Sequence, residues 1–149
     1  MNRPLVIVAD ADSIVAQAYA QDANHQVILG LGKKLQRQKA HIIFPSTTII
    51  EAVTTLQRKF SDPGLAAATY DLFIDSGVVI ADVGQEDIKE ARKLFDPLSS
   101  KHNTVFDAVV ATLAKKYNAD AIFSFDGWYR KLGFKLVVDL IGLEATRKN

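Results

Sequence analysis

Short apolar runs, rich in β-branched residues, recur along this chain at nearly regular intervals. Runs of this kind are typical of strands that are covered on both faces, whereas half-exposed strands alternate between apolar and polar positions. The pattern therefore predicts five buried strands, at Leu5–Ala9, His41–Phe44, Val78–Ala81, Ala121–Ser124 and Lys135–Val138.

Longer segments with helical periodicity and good capping residues fill the gaps between these runs. They predict helices at Ser13–Tyr19, Asn24–Lys39, Ser46–Phe60, Leu65–Ser76, Glu86–Asp96 and Thr104–Tyr117. Because strands that alternate with helices form parallel sheets, the sequence predicts an α/β fold.

The length of 149 residues predicts a single domain that spans residues 1–149. Hydrophobic residues make up 48% of the chain and charged residues 23%, as in ordinary globular proteins. No apolar run is long enough for a transmembrane helix, and the N-terminal run is too short for a signal peptide. We therefore expect a cytoplasmic protein that does not bind membranes.

The absence of cysteine removes several chemistries at once, namely disulfides, Cys-ligated zinc, iron–sulfur clusters and thiol nucleophiles. The net charge is only +1, from 18 basic and 17 acidic residues. Any function that depends on charge must therefore come from a local arrangement of residues.

Acidic residues stand where the predicted strands end or where the next helix begins. Asp10 ends the first strand and Asp12 follows it, while Asp126 comes shortly after the fourth strand. Glu51 lies in the second turn of one helix and Asp107 in the first turn of another. Ligands of parallel α/β sheets bind at the carboxyl ends of the strands, so these acids are candidates for a site.

Some of these acids also have ordinary structural explanations. Asp126-Gly127 is a common turn sequence, and Asp107 suits the dipole at a helix N-terminus. Asp10 and Glu51 lie in apolar surroundings, where an unpaired carboxylate costs several kcal/mol. If the acids converge, they require a divalent cation, and oxygen ligands favour Mg²⁺ or Mn²⁺ over zinc.

The order of these motifs resembles that of the PIN-domain nucleases over nearly the whole chain. The matching stretches are Val6–Val15, Phe44–Glu51, Phe106–Ala114 and Asn118–Tyr129. The resemblance implies a three-layer α/β/α fold with a central parallel sheet of about five strands. It also implies a catalytic metal site formed by Asp10, Glu51, Asp107 and Asp126, with Ser124 as the hydroxyl residue that lines it.

Two positions depart from the family pattern. Asp12 stands where Ser, Thr or Asn is common, and it adds a ligand or a charge. Trp128 stands where a further acid is often found, so a fifth carboxylate is missing or comes from elsewhere.

The resemblance implies a metal-dependent endoribonuclease that hydrolyses RNA phosphodiester bonds and leaves a 3′-hydroxyl. Metal ions would orient a water and stabilise charge on the phosphate. Basic residues must offset the repulsion between the acids and RNA, and a solvated surface is the alternative explanation for each. The candidates are Lys33, Lys34, Arg37, Lys39, Arg130 and Lys131. Trp128 and Tyr129 are candidates for base stacking, with core packing as the alternative.

Small single-domain members of this family include the toxins of VapBC-type toxin–antitoxin systems. This resemblance implies a homodimer and an antitoxin whose tail covers the acidic site. No residue of the sequence itself demonstrates an antitoxin.

Two other functions remain open at this stage. The run from Leu5 to Asp12 also resembles haloacid-dehalogenase-like phosphatases, in which the first acid of Asp-x-Asp is a nucleophile. That family's late acid pair has no match at Arg130, and it gives no role to Glu51 or Asp107. The other alternative is a degenerate PIN-like module that binds RNA or a protein partner without cleavage, which Trp128 suggests.

Overall fold

Four parallel strands form one sheet in the computed structural model, which describes residues 3–98 and 102–142. The strands are β1 (Val6–Ala9), β2 (His41–Pro45), β3 (Val79–Ala81) and β4 (Ala121–Phe123), and their order in the sheet is β3-β2-β1-β4. Ile7 in the central strand pairs with Ile42 of β2 and with Ala121 of β4.

Eight helices accompany the strands in the described residues. The first six are those that the sequence predicts, with ends that differ by a few residues, and the last two, which follow the fourth strand, were not predicted. The helices are α1 (Ala11–Ala18), α2 (His25–Arg37), α3 (Ser46–Arg58), α4 (Pro63–Asp75), α5 (Gln85–Arg92), α6 (Val105–Lys116), α7 (Trp128–Lys131) and α8 (Val137–Ile141). Within residues 3–98 and 102–142, no helix is both long enough and apolar enough to span a bilayer.

Helices lie on both faces of the sheet, which makes the fold a three-layer α/β/α sandwich. The edge strand β3 is not buried as predicted, because Val79 and Ile80 are 56% and 42% exposed. Ile7 and Ala9 pack against the helices α2 and α8, whereas Val8 packs against α6 and α7. Successive side chains of a strand point to opposite faces, so this single strand contributes to two separate cores. The predicted fold class is confirmed.

The expectation of about five strands is corrected to four in the described residues. In the predicted strand Lys135–Val138, only Leu136 pairs with the sheet, through one isolated bridge to Ile122. The backbone N–H of Leu136 then donates to Asp139 Oδ2 at 2.9 Å, and α8 begins at Val137. The Asp139 carboxylate thus starts a helix where β-branched residues alone indicate a strand.

The chain order produces a switch point beside the central strand. After β1 the chain forms β2 and then β3 on one side, and it later returns to form β4 on the other side. The connections therefore leave the carboxyl ends of β1 and β4 in opposite directions, which opens a crevice between them. Asp10 follows β1 and Ser124 follows β4 at this crevice.

Candidate active site

A cleft of about 340 Å³ lies at the carboxyl ends of the strands. It brings together the five acids that the sequence places at strand and helix ends: Asp10, Asp12, Glu51, Asp107 and Asp126. The rest of its lining comes from Ala11, Val15, Asp22, Asn24, Thr55, Lys59, Phe60 and His102.

Asp10 is fixed by the junction between β1 and α1. Its carboxylate accepts a hydrogen bond from the N–H of Ala11 at 2.7 Å and so caps α1. The Asp10 backbone N–H donates to the carbonyl of Phe123 in β4 at 3.1 Å. Only 4% of the residue is exposed, so this acid is held rigidly and almost out of water.

Asp107 is fixed by the cap of helix α6. Its Oδ2 accepts from the N–H of Thr104 at 2.9 Å, while Thr104 Oγ1 accepts from the N–H of Phe106 at 3.2 Å. This reciprocal capping explains why the helix begins here. The cap supports the structural explanation that the sequence left open, yet Asp107 also lines the cleft, so the two roles coexist.

The Tyr129 hydroxyl reaches two of these acids from within the protein. It donates to Asp10 Oδ2 at 2.7 Å and lies 3.5 Å from Asp107 Oδ1. Tyr129 is fully buried in the core formed around Val8 and Ile122. Base stacking by Tyr129 was therefore the wrong expectation, and the alternative of core packing is confirmed.

Asp12 joins the first turn of α1 to the loop that follows β4. Its Oδ2 accepts from Ser124 Oγ at 2.9 Å and from the Phe125 N–H at 2.8 Å. Its Oδ1 is buried and has no hydrogen-bond partner. A buried carboxylate oxygen without a donor is costly, so this atom is suited to bind a cation.

Glu51 shows the same feature on the opposite wall of the cleft. It lies in the second turn of α3, and its Oε1 is buried without a hydrogen-bond partner. Burial, followed by the charges of Asp107 and Asp12, raises the pKa of Glu51 to about 7. The metal-free cleft thus favours a protonated carboxyl at this position.

Asp126 forms both a turn and part of the cleft wall. Its Oδ1 accepts from the Trp128 N–H at 2.9 Å, and its Oδ2 accepts from Asn103 Nδ2 at 2.8 Å. The first bond is the turn that the Asp126-Gly127 sequence predicts. Sequence reasoning did not identify Asn103, because nothing in the sequence indicates which side chain reaches across from before α6.

Burial and mutual repulsion disfavour the ionised forms of four acids in this cleft, Asp10, Asp12, Glu51 and Asp107. Burial, and after it the charges of Asp12 and Asp107, raises the pKa of Asp10 well above its ordinary value. Burial raises the pKa of Asp12 to about 6 and also raises that of Asp107. Positive charge bound among these groups would relieve the repulsion and restore their ionised forms.

The residues fit a hard divalent cation in charge and in donor type. They offer carboxylate oxygens only, and two of these oxygens, on Asp12 and Glu51, lack a partner. Among the described residues, however, no three acidic or histidine side chains form a ready-made ligand set. Protein donors hold Asp10, Asp107 and Asp126, and a carboxylate oxygen that accepts one hydrogen bond keeps a second lone pair for a cation.

The basic residues predicted from the sequence are not part of the cleft lining. Lys33 and Arg37 are exposed on α2, and Lys34 Nζ donates to the carbonyl of Gly142 at 2.9 Å. The Arg130 guanidinium forms two hydrogen bonds, of 2.8 and 2.9 Å, with the carboxylate of Asp139.

The remaining candidates for RNA contacts, Lys39, Lys131 and Trp128, are also not part of the lining. Lys39 and Lys131 are exposed. Trp128 is half-buried and packs edge-on against Tyr129, with ring centroids 5.3 Å apart.

Three titratable residues that the sequence analysis missed also line the cleft, namely Asp22, Lys59 and His102. Lys59 was detectable, because Glu51, Thr55 and Lys59 recur at intervals of four residues and therefore share one helix face. Lys59 Nζ lies 5.6 Å from the centroid of the Phe60 ring.

Comparisons with known proteins bear on this cleft. The model of the PIN domain family matches residues 7–135. The chain is also similar to the solved structure of VapC20 from Mycobacterium tuberculosis, which is described as a toxin that cleaves the sarcin–ricin loop. The identity is 20%, the match covers 86% of this chain and 95% of the other, and the TM-score is 0.72. No curated protein matches the sequence.

Proposed function

Because this chain belongs to the PIN domain family, we propose that it is a metal-dependent endoribonuclease that hydrolyses RNA phosphodiester bonds. The observation that carries the proposal is the convergence of five acids in one cleft, with two buried oxygens that lack partners. Structural acids normally find protein donors, so unpaired oxygens at this place favour a catalytic cation.

Asp10, Glu51, Asp107 and Asp126 would hold Mg²⁺ or Mn²⁺. When bound, the ion supplies Lewis acidity that activates a water and stabilises charge on the phosphate. The chain's own residues prepare for this chemistry. Ala11 orients the Asp10 carboxylate and Thr104 orients that of Asp107, through hydrogen bonds of 2.7 and 2.9 Å.

Asp12 and Ser124 support the site. Ser124 Oγ donates to Asp12 and accepts from the Asp126 N–H at 3.0 Å, so one hydroxyl relates two acids of the cleft. Asp12 takes the place of the fifth carboxylate that Trp128 does not supply. Its unpaired Oδ1 is the atom that would contribute.

The substrate must approach a negatively charged cleft. Lys59 stands at its wall and would attract a phosphate that flanks the scissile bond. The predicted cations on α2 and α7 would act at longer range, where screening by salt is stronger.

The biological role that we propose is that of a cytoplasmic toxin of a toxin–antitoxin pair. The similarity in fold to VapC20 supports this role, together with the comparable length of the two chains. An antitoxin that covers the acidic cleft and a homodimer of this chain are part of the same proposal. Exposed apolar residues on α4 and β3, such as Leu72, Ile74 and Val79, support an interface between copies.

The first test is cleavage of a labelled pool of single-stranded RNA by the purified protein. Cleavage should require Mg²⁺ or Mn²⁺, stop in EDTA, and be lost in Asp10→Asn and Asp107→Asn. Asp71→Asn, on an exposed position of α4, is the matched control and should cleave normally. If the folded protein binds metal and never cleaves, the degenerate binding module replaces the nuclease.

The residues of the cleft do not favour the alternative function, a haloacid-dehalogenase-like phosphatase. It leaves Glu51 and Asp107 without a role, although both stand beside Asp10 and raise its pKa. Arg130, at the position where that family places a late acid, forms its hydrogen bonds with Asp139 instead.

A further inference from the structure

One phenol group contacts the acidic cleft from the side that faces the core. Tyr129 is fully buried and does not line the cleft, whereas Asp10 and Asp107 do. The Tyr129 hydroxyl nevertheless donates to Asp10 Oδ2 at 2.7 Å and lies 3.5 Å from Asp107 Oδ1. The hydroxyl therefore approaches these carboxylates from behind and leaves their cleft side open.

The two acids come from different elements, and Tyr129 links them from a third. Asp10 follows β1, Asp107 lies in the first turn of α6, and Tyr129 lies in the short helix α7 after β4. Apart from Tyr129, Asp10 is held by the Ala11 N–H next to it, and Asp107 by the Thr104 N–H in its own helix cap. Those local bonds orient each acid on its own element and set no distance between the two.

We propose that Tyr129 is a positioning residue that holds Asp10, next to Asp107, in the orientation that a divalent cation requires. This inference rests on the proposed nuclease function. Groups that hydrogen-bond to metal ligands from behind fix ligand orientation, and their loss typically weakens metal binding by about 10- to 100-fold.

A purely structural role predicts something different. A buried tyrosine hydroxyl needs a hydrogen-bond partner for its own stability, and Asp10 satisfies that need. If this were the whole role, removal of the hydroxyl would change the melting temperature of the metal-free protein and leave metal affinity unaltered.

Tyr129→Phe separates the two roles, with Tyr117→Phe as the matched control on the far end of α6. Titration calorimetry with Mn²⁺ alone should give a dissociation constant about 10-fold weaker for Tyr129→Phe and unchanged for Tyr117→Phe. RNA cleavage by Tyr129→Phe should show a lower kcat at a fixed Mn²⁺ concentration and an unchanged KM for RNA. A dissociation constant within twofold of that of the unmodified protein would overturn the inference.

A second measurement does not depend on the folding of Tyr129→Phe. The chain has four tyrosines, so the variant with Tyr19, Tyr70 and Tyr117 all changed to Phe retains Tyr129 alone. Labelled with 3-fluorotyrosine, it should give one fluorine resonance that shifts when Mg²⁺ is added. A resonance that stays in place while calorimetry records Mg²⁺ binding would also overturn the inference.

The same experiments distinguish this inference from the proposed function. If the unmodified protein binds neither Mn²⁺ nor Mg²⁺, the metal-dependent nuclease and the role of Tyr129 both fall. If it binds metal and cleaves RNA, and Tyr129→Phe binds metal equally well, only the role of Tyr129 falls.

Discussion

The Ser124 hydroxyl, in the loop that follows β4, donates a hydrogen bond of 2.9 Å to Oδ2 of Asp12 in the first turn of α1. Ser124 Oγ also accepts a hydrogen bond from the Asp126 N–H at 3.0 Å. Ser124 is 3% exposed, so no water can readily replace either bond. One small hydroxyl thus couples two acids that lie on different strand ends.

Ser124→Ala should therefore reduce RNA cleavage by about 10-fold, because Asp12 and Asp126 lose their shared partner. The free energy of unfolding should fall by about 1 kcal/mol, the usual effect of a lost hydrogen bond. Urea unfolding and the initial rate of cleavage measure the two effects. Ser76→Ala, at the exposed end of α4, is the control and should change neither. Unchanged cleavage in folded Ser124→Ala would remove Ser124 from the site.

Asp10→Asn and Asp12→Asn should differ in severity. Asp10 is the central acid of the cleft, so its neutral isostere should lower kcat by about 1,000-fold, the upper range for one electrostatic group. Asp12 supports the site, and Asp12→Asn should cost about 10-fold. The assay is RNA cleavage at saturating Mg²⁺. If the protein were a phosphatase of the Asp-x-Asp type, Asp12→Asn would abolish activity on p-nitrophenyl phosphate. That result would replace the nuclease with the phosphatase.

Glu51→Gln should stabilise the metal-free protein at alkaline pH. The pKa of Glu51 is about 7 in the fold against an ordinary 4.5, so the folded state binds more protons than the unfolded chain between these values. The free energy of unfolding therefore falls as pH rises through this window, and the loss is complete above pH 7. Allowing for partial exposure of Glu51, the loss is roughly 2 kcal/mol.

Thermal melts in EDTA at pH 5 and pH 8 measure this effect. Glu51→Gln should raise the melting temperature at pH 8 by about 4 to 8 °C and have little effect at pH 5. Glu86→Gln, on the exposed face of α5, should melt like the unmodified protein at both pH values. A lower melting temperature for Glu51→Gln at pH 8 would mean that the Glu51 charge is stabilising.

Lys59→Gln should weaken RNA binding more than removal of any predicted cation outside the cleft. Binding is measured in the Asp10→Asn background, so that the RNA stays intact. In a plot of the logarithm of affinity against the logarithm of salt concentration, the slope should be less steep by about 1 for Lys59→Gln. That is the change expected when one phosphate contact is lost. Lys33→Gln and Lys131→Gln are the charge-matched controls. A larger effect of Lys33→Gln would favour the surface of α2 as the RNA site.

Much of the fold was predictable because it depends on local patterns. Continuous apolar runs located β1, β2, β3 and β4. The expected burial holds best for β1 and β4, which are buried along most of their length, whereas Val79 and Ile80 of β3 are exposed. The pattern failed at Lys135–Val138, where Val137 and Val138 indicate a strand. There the bond from Leu136 N–H to Asp139 starts a helix instead, and pattern alone does not reveal such a bond.

The acids of the cleft were predictable for a different reason. The carboxyl ends of parallel strands meet at one edge of a sheet. The position of an acid at such an end can therefore be predicted even when its contacts are unknown. The basic residues had no such constraint. The sequence shows that Lys33, Arg37 and Lys131 are present but not which way their side chains point. The lysine that lines the cleft is Lys59.

The sequence by itself determined the family, the layered α/β fold and the identity of the five acids, because periodicity and the order of motifs are properties of the chain. Only the tertiary structure decided how those acids are held. Ser124 reaches Asp12 across two strand ends, and Tyr129 reaches Asp10 from a helix 119 positions further along the chain. Contacts between residues so far apart depend on the packing of the sheet and its helices, which local sequence patterns do not encode.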